Sequence, residues 1–120
     1  MYDVAIIGGA LMGSSTAYHL LMRDLSLKVA VIEQDPRYEF AASARSNSMV
    51  RVVFSQPENL LMSRYGQEFY GSFPDLMRIG EDRPPLDYVK GGLLIIGNTE
   101  DQAHDIIINS DFQRSMGCDV

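Results

Sequence analysis

Cysteine is almost missing from this sequence, with Cys118 alone among 120 residues. A single thiol excludes an internal disulfide framework and fits a reducing compartment, so a cytoplasmic location is expected. Basic runs are missing too: Lys and Arg number 10 against 16 Asp and Glu, for a net charge of −6. That balance argues against nucleic acid or an anionic membrane as partner. No apolar stretch approaches the roughly 20 residues needed for a membrane span. Strand-like sequence follows Met1 at once, which leaves no room for a signal or transit peptide. Repeats and low-complexity tracts are also lacking. What is present is 46% hydrophobic and 22% charged, the balance of a folded globular chain. A chain this long buries enough surface for one domain and too little for two.

Tyr2-Asp3-Val4-Ala5-Ile6-Ile7 is a short β-branched run, apolar on both faces, that stops at Gly8-Gly9. Such a run suits a central parallel strand. From about Met12 to Arg23 the period changes to helical, with Thr16, Ala17, Leu20 and Leu21 on one face. Val29-Ala30-Val31-Ile32 is a second buried-type strand, closed by Glu33-Gln34-Asp35 and Pro36. Strand, glycine turn, helix and strand in this order make a βαβ unit. Residues 37–54 lose periodicity. The small, polar stretch 41–48 reads either as a surface linker or as a segment laid against a large flat ligand. Ser55-Gln56-Pro57-Glu58 has the form of a capping box, and the helix after it should run to about Ser72. Its stripe of Leu61, Tyr65, Phe69 and Phe73 reads as core. Residues 88–96 read as a strand with Gly91 and Gly92 inside it. Thr99-Glu100-Asp101-Gln102 opens a last helix, with Ala103, Ile106 and Ile107 inward and Gly117 as its terminator.

The chemistry concentrates in Gly8-Gly9-Ala10-Leu11-Met12-Gly13, placed between a strand and a helix, with Glu33 at the end of the next strand. In that context a weak glycine pattern becomes a dinucleotide fingerprint. Gly8 permits the tight turn, Gly13 lets the helix lie close on the sheet, and the helix N-terminus offers N–H groups to a diphosphate. The second motif position carries Ala10 where the full pattern has glycine. Glu33 would accept hydrogen bonds from ribose hydroxyls and disfavour a ribose phosphate, with Gln34 beside it. His19 and His104 show no metal-ligand spacing, so no metal site is expected.

These residues, with the stretch Ala42-Ser43-Ala44-Arg45-Ser46 running on to Arg51, resemble the N-terminal part of FAD-dependent oxidoreductases of the D-amino-acid oxidase superfamily. The likeness is to its sarcosine, dimethylglycine and glycine oxidase-like members. It continues through Phe54-Ser55-Gln56-Pro57-Glu58-Asn59 and Gly91-Gly92-Leu93, so it covers essentially the whole chain. The resemblance implies an α/β fold: a Rossmann-like FAD-binding βαβ unit followed by the beginning of a mixed α+β substrate domain, within a larger two-domain architecture. Residues 1–80 would then belong to the FAD-binding domain and 81–120 would begin the substrate-binding domain. Ser43 is implied to face the diphosphate, while Arg45, Ser46, Asn47, Ser48 and Met49 pass near the ribityl chain and ring edge. Arg51 matches a position where relatives place a basic residue near the flavin face, and it is the one candidate catalytic residue. A solvated surface arginine is the competing reading.

The implied reaction is oxidation of the C–N bond of an amino acid or a secondary or tertiary amine by hydride transfer to flavin. The implied partners are the small-molecule amine and an electron acceptor, O2 or an electron-transfer protein. Covalent flavin attachment through Cys118 is not expected. A nicotinamide-dependent Rossmann dehydrogenase and a non-catalytic nucleotide-binding module stand as alternatives. A plain helix–strand repeat after Ile32 would favour them, whereas this chain leaves the βαβ pattern at Arg37. On the resemblance, 120 residues amount to roughly the first third of an enzyme, which on its own should fold incompletely and turn over no substrate.

Overall fold

The β-branched run near the start forms β1 (Val4–Ile7), α1 covers Leu11–Arg23 and β2 covers Val29–Ile32, in a computed structural model that describes residues 1–120. The two strands pair in parallel, with Val4 opposite Val29 and Ile7 opposite Ile32. Backbone bonds extend the pairing at each end: the Asp3 N–H donates to the Lys28 carbonyl at 2.9 Å and the Gly8 N–H to the Ile32 carbonyl at 2.8 Å. The expected βαβ unit is therefore formed. In α1, Gly13, Ala17, Leu20 and Leu21 are half-buried, but Thr16 is exposed, contrary to expectation. Its hydroxyl donates to the Met12 carbonyl at 2.7 Å, a bond open to a helical threonine facing solvent. After β2 the chain makes successive turns. Tyr38 N–H donates to the Asp35 carbonyl at 2.9 Å, Ala41 N–H to Tyr38 at 3.0 Å and Arg45 N–H to Ala42 at 3.2 Å. These elements make up one compact unit, Met1–Met49.

The second unit, Val50–Val120, is helical. It contains α2 (Pro57–Gly71), the single turn α3 (Phe73–Leu76) and α4 (Glu100–Ser115). The capping box expected at Ser55 is not made. Gln56 is the N-cap, with no side-chain cap bond, because proline settles at the first helical position and sets the phase. Leu60 is fully buried. Of the expected stripe, Phe69 and Phe73 are half-buried and their rings meet edge to face 5.9 Å apart, whereas Leu61 and Tyr65 are exposed.

A larger departure is the strand expected over residues 88–96, which does not form. A strand is stable only when a neighbour satisfies its N–H and C=O groups. Within this unit the only ladder contact is an isolated antiparallel bridge between Ile79 and Asp82. Gly91 and Gly92 add backbone entropy against an unpaired extended run. In α4 the inward face also differs: Ile106 is half-buried as expected, but Ala103 and Ile107 are exposed, and Gln113 is buried. Both ends of α4 follow expectation. The Thr99 side chain accepts from the Gln102 N–H at 3.2 Å. At the other end Gly117 takes φ +80°, its N–H donates to the Arg114 carbonyl at 2.9 Å, and the Cys118 N–H donates to Gln113 at 2.9 Å. That pair of bonds is a Schellman motif. Two side chains bind this unit together: Arg64 Nη1 donates to the Met116 carbonyl at 2.5 Å, and Gln113 Nε2 to the Phe54 carbonyl at 3.3 Å.

Candidate dinucleotide site

The turn from β1 into α1 is built from backbone, as a diphosphate cradle requires. Gly8 has φ +93°, a left-handed conformation that a side chain would strain. A Cβ on Gly13 would overlap the Gly8 carbonyl and lie 3.3 Å from Ile6 Cγ2, so only glycine lets α1 approach β1 this closely. Ala10 is the N-cap of α1 in extended conformation and makes no side-chain cap bond. The first-turn N–H groups of Leu11, Met12 and Gly13 thus have no intrahelical acceptor, while the Ser14 N–H closes onto the Ala10 carbonyl at 2.9 Å. No acidic side chain lies in that first turn to compete for an anion. The Ser14 hydroxyl donates to the Gly9 carbonyl and braces the turn from the helix side.

Glu33 is fastened to the same turn. Its Oε2 accepts from the Gly9 N–H at 2.7 Å and its Oε1 from the Asp35 N–H at 2.8 Å. The Asp35 N–H, then the Gly9 N–H, hold this carboxyl below its ordinary value, with partial desolvation opposing them. A carboxylate offers about four acceptor positions. The Asp35 and Gly9 N–H groups take up part of that capacity, and the rest is open to ribose hydroxyls. Sequence reasoning placed Glu33 at the site but did not anticipate its bond to Gly9. It also missed Ser14 and Tyr38. Tyr38 adopts φ +56°, a left-handed conformation that costs a bulky residue about 1–3 kcal/mol. Its hydroxyl stands 2.9 Å from the point that a Cβ on Gly9 would occupy, beside Val31 Cγ1 and Glu33 Cβ at 3.2 and 3.3 Å from that point. Gly9 is accordingly buried. No pattern in a sequence announces a left-handed tyrosine.

Gly8, Gly9, Ala10, Gly13 and Glu33 are thus brought together. Gln34 is exposed beside them. Residues 43–49 form their own local turns. The Ser46 hydroxyl donates to the Ser43 carbonyl at 3.1 Å and accepts from the Ser48 N–H at 3.1 Å, and Asn47 Oδ1 accepts from the Met49 N–H at 3.3 Å. Ser48 has φ +55°. Arg45 lies over the Phe40 ring, 4.7 Å from its centroid. Arg51, in the second unit, is exposed and lies 5.6 Å from the Phe54 ring centroid. No group of three or more His, Cys, Asp or Glu side chains is placed to hold a metal ion. No helix is long and apolar enough to cross a membrane.

Turn, helix terminus and fastened acid together describe a dinucleotide-binding βαβ unit, and residues 3–119 match the family of FAD dependent oxidoreductases. The chain belongs to that family, whose cofactor is FAD. Among curated relatives, FAD-dependent oxidoreductase domain-containing protein 1 of Xenopus laevis is 35% identical over 122 residues, covering 98% of this chain and 24% of the relative. The protein of that name from Bos taurus is 32% identical, covering 98% of this chain and 25% of its own. The Drosophila melanogaster homolog is 36% identical, with 96% and 22% covered. This chain therefore spans about a quarter of the length of the curated relatives it matches. No solved structure matches it.

The residues present fit FAD. Gly13 lets α1 lie close against β1 at the turn, the α1 terminus carries unopposed N–H donors, and Glu33 keeps acceptor capacity beside it. The nicotinamide alternative gives way to the family assignment.

Proposed function

We propose that this chain supplies the FAD-binding part of an enzyme that oxidises the C–N bond of an amino acid or of a secondary or tertiary amine. The observation that carries the reading is the Glu33 carboxylate bonded to Gly9 at 2.7 Å, which fixes an acceptor beside the uncapped end of α1. In the proposed arrangement the N–H groups of Leu11, Met12 and Gly13 bind the diphosphate, and Glu33 binds the adenosine ribose with Gln34 next to it. Gly8, Gly9 and Ala10 keep the backbone clear of side chains. Ser43 faces the diphosphate, and Arg45, Ser46, Asn47, Ser48 and Met49 pass near the ribityl chain and the ring edge. When bound, FAD supplies a two-electron acceptor for the hydride on the carbon next to nitrogen. Arg51 steadies a substrate carboxylate or negative charge near the ring, a role supported by the exposure of the residue. Residues 1–80 serve the FAD-binding domain and 81–120 open the substrate-binding domain.

Anaerobic mixing of the flavin-loaded full-length protein with sarcosine, dimethylglycine or glycine tests the substrate class. Loss of the visible flavin absorbance with an amine, and none with the matching hydroxy acids, is the expected result. Bleaching by hydroxy acids alone would overturn the amine reading. A colourless protein that takes up no added FAD would overturn the site itself.

A further inference from the structure

We propose that Tyr38 is a cofactor-binding residue whose phenol hydroxyl donates a hydrogen bond to a ribose hydroxyl on the adenosine half of FAD. The inference rests on the FAD reading above and adds to it a residue outside both the glycine motif and the strand-end acid. Three observations carry it. Tyr38 is held in a left-handed conformation, φ +56°, between two turn bonds: its own N–H donates to the Asp35 carbonyl at 2.9 Å and its carbonyl accepts from the Ala41 N–H at 3.0 Å. That conformation brings the hydroxyl over the second glycine of the motif, 2.9 Å from the point a Cβ there would occupy, with Glu33 Cβ 3.3 Å from the same point. The residue stays partly open, at 38% exposure.

The chemistry of the two side chains is complementary. Ionised Glu33 accepts and cannot donate, whereas a ribose hydroxyl has one hydrogen to give and lone pairs to be filled. Glu33 takes the hydrogen. A donor is then needed for the lone pair, and the Tyr38 phenol, whose hydroxyl lies over Gly9, the residue that bonds Glu33, can supply it. Strained residues that persist in a fold gather at ligand sites, where the surrounding structure holds them in place.

The test uses the flavin-free full-length protein and two probes, ADP and its dideoxyribose analogue, which lacks both ribose hydroxyls. Calorimetric titration of wild type and Tyr38→Phe gives four affinities. The wild type should prefer ADP. Tyr38→Phe should bind ADP about three- to tenfold more weakly, the size of one lost neutral hydrogen bond. It should bind the analogue as tightly as the wild type does, and the ligand-free proteins should melt alike. A purely structural tyrosine would weaken both probes equally, and that result overturns the proposal, as does an unchanged ADP affinity. Failure of the wild type to bind ADP at all would instead overturn the FAD-site reading.

Discussion

At the scale of single residues, Glu33 and Gly13 bear the weight of the site and can be tested separately. The Glu33 carboxylate accepts backbone bonds from the Asp35 and Gly9 N–H groups, and they hold its pKa below the ordinary carboxylate value. A group depressed on folding stabilises fully above its unfolded value and loses that contribution as pH falls through the folded one. Wild-type stability should therefore decline as the pH drops below about 4, and Glu33→Gln should show a smaller decline. Thermal unfolding across the acid range checks this, and parallel curves would mean the two bonds contribute nothing. The same variant should retain FAD about tenfold more weakly in dialysis, as expected when a charged acceptor is lost. Gly13 acts by shape. Gly13→Val drives side-chain atoms into the Gly8 carbonyl and should cost about 1–3 kcal/mol with loss of FAD retention. Ala10→Gly should be tolerated, since Ala10 is extended and contributes no cap bond. Full binding and an unchanged melting temperature in Gly13→Val would show the motif to be misplaced. Most of this cluster was legible because each position answers one physical demand that the residue type declares. Tyr38 and Ser14 were not, because a hydroxyl's target depends on where the backbone turns.

Among the elements, the two capping patterns make an instructive pair. Both read as a hydroxyl residue followed three positions later by Glu or Gln. At Thr99 the hydroxyl half of the pattern is realised: the side chain accepts from the Gln102 N–H, while Gln102 Oε1 reaches one residue further back and accepts from the Asn98 N–H at 2.8 Å. At Ser55 it is not, because Pro57 takes the first helical position and makes Gln56 the N-cap. Thr99→Ala should therefore destabilise the second unit by about 1 kcal/mol, whereas Ser55→Ala should change it by less than about 0.5 kcal/mol. Equal losses in chemical denaturation would contradict the assigned caps. The βαβ unit was readable because a local apolar run, a glycine turn and a helical period agree within one short stretch. The strand over 88–96 was misread because extended structure is decided by a partner, and neither composition nor alternation in residues 88–96 says whether one is at hand. The α4 face was misread for a related reason: Ile107 is as apolar as Ile106, and only packing decides which turns inward.

For the molecule as a whole, the distribution of apolar surface matters more than its amount. Leu60 is the fully buried side chain, while Ile7 at 81%, Leu94 at 82% and Ile96 at 71% stand exposed. The parallel pair of β1 and β2 has no third strand, so each strand presents an open edge. Open edges and grouped aliphatic side chains favour association with other chains. The 120-residue chain, about a quarter as long as its curated relatives, should on its own bind a hydrophobic dye and sediment as concentration-dependent assemblies. Residues 93–96 offer the sharper form of the test, since Leu93, Leu94, Ile95 and Ile96 are all exposed and form no strand. Replacing Leu94 and Ile96 together by lysine removes two of these side chains and adds like charges that repel a second copy. Sedimentation should then shift towards the monomer, with dye binding reduced and helical content unchanged. Identical sedimentation of the double variant would place the association elsewhere, on the open edges of β1 and β2. A monomeric wild-type chain that unfolds cooperatively would contradict the prediction outright.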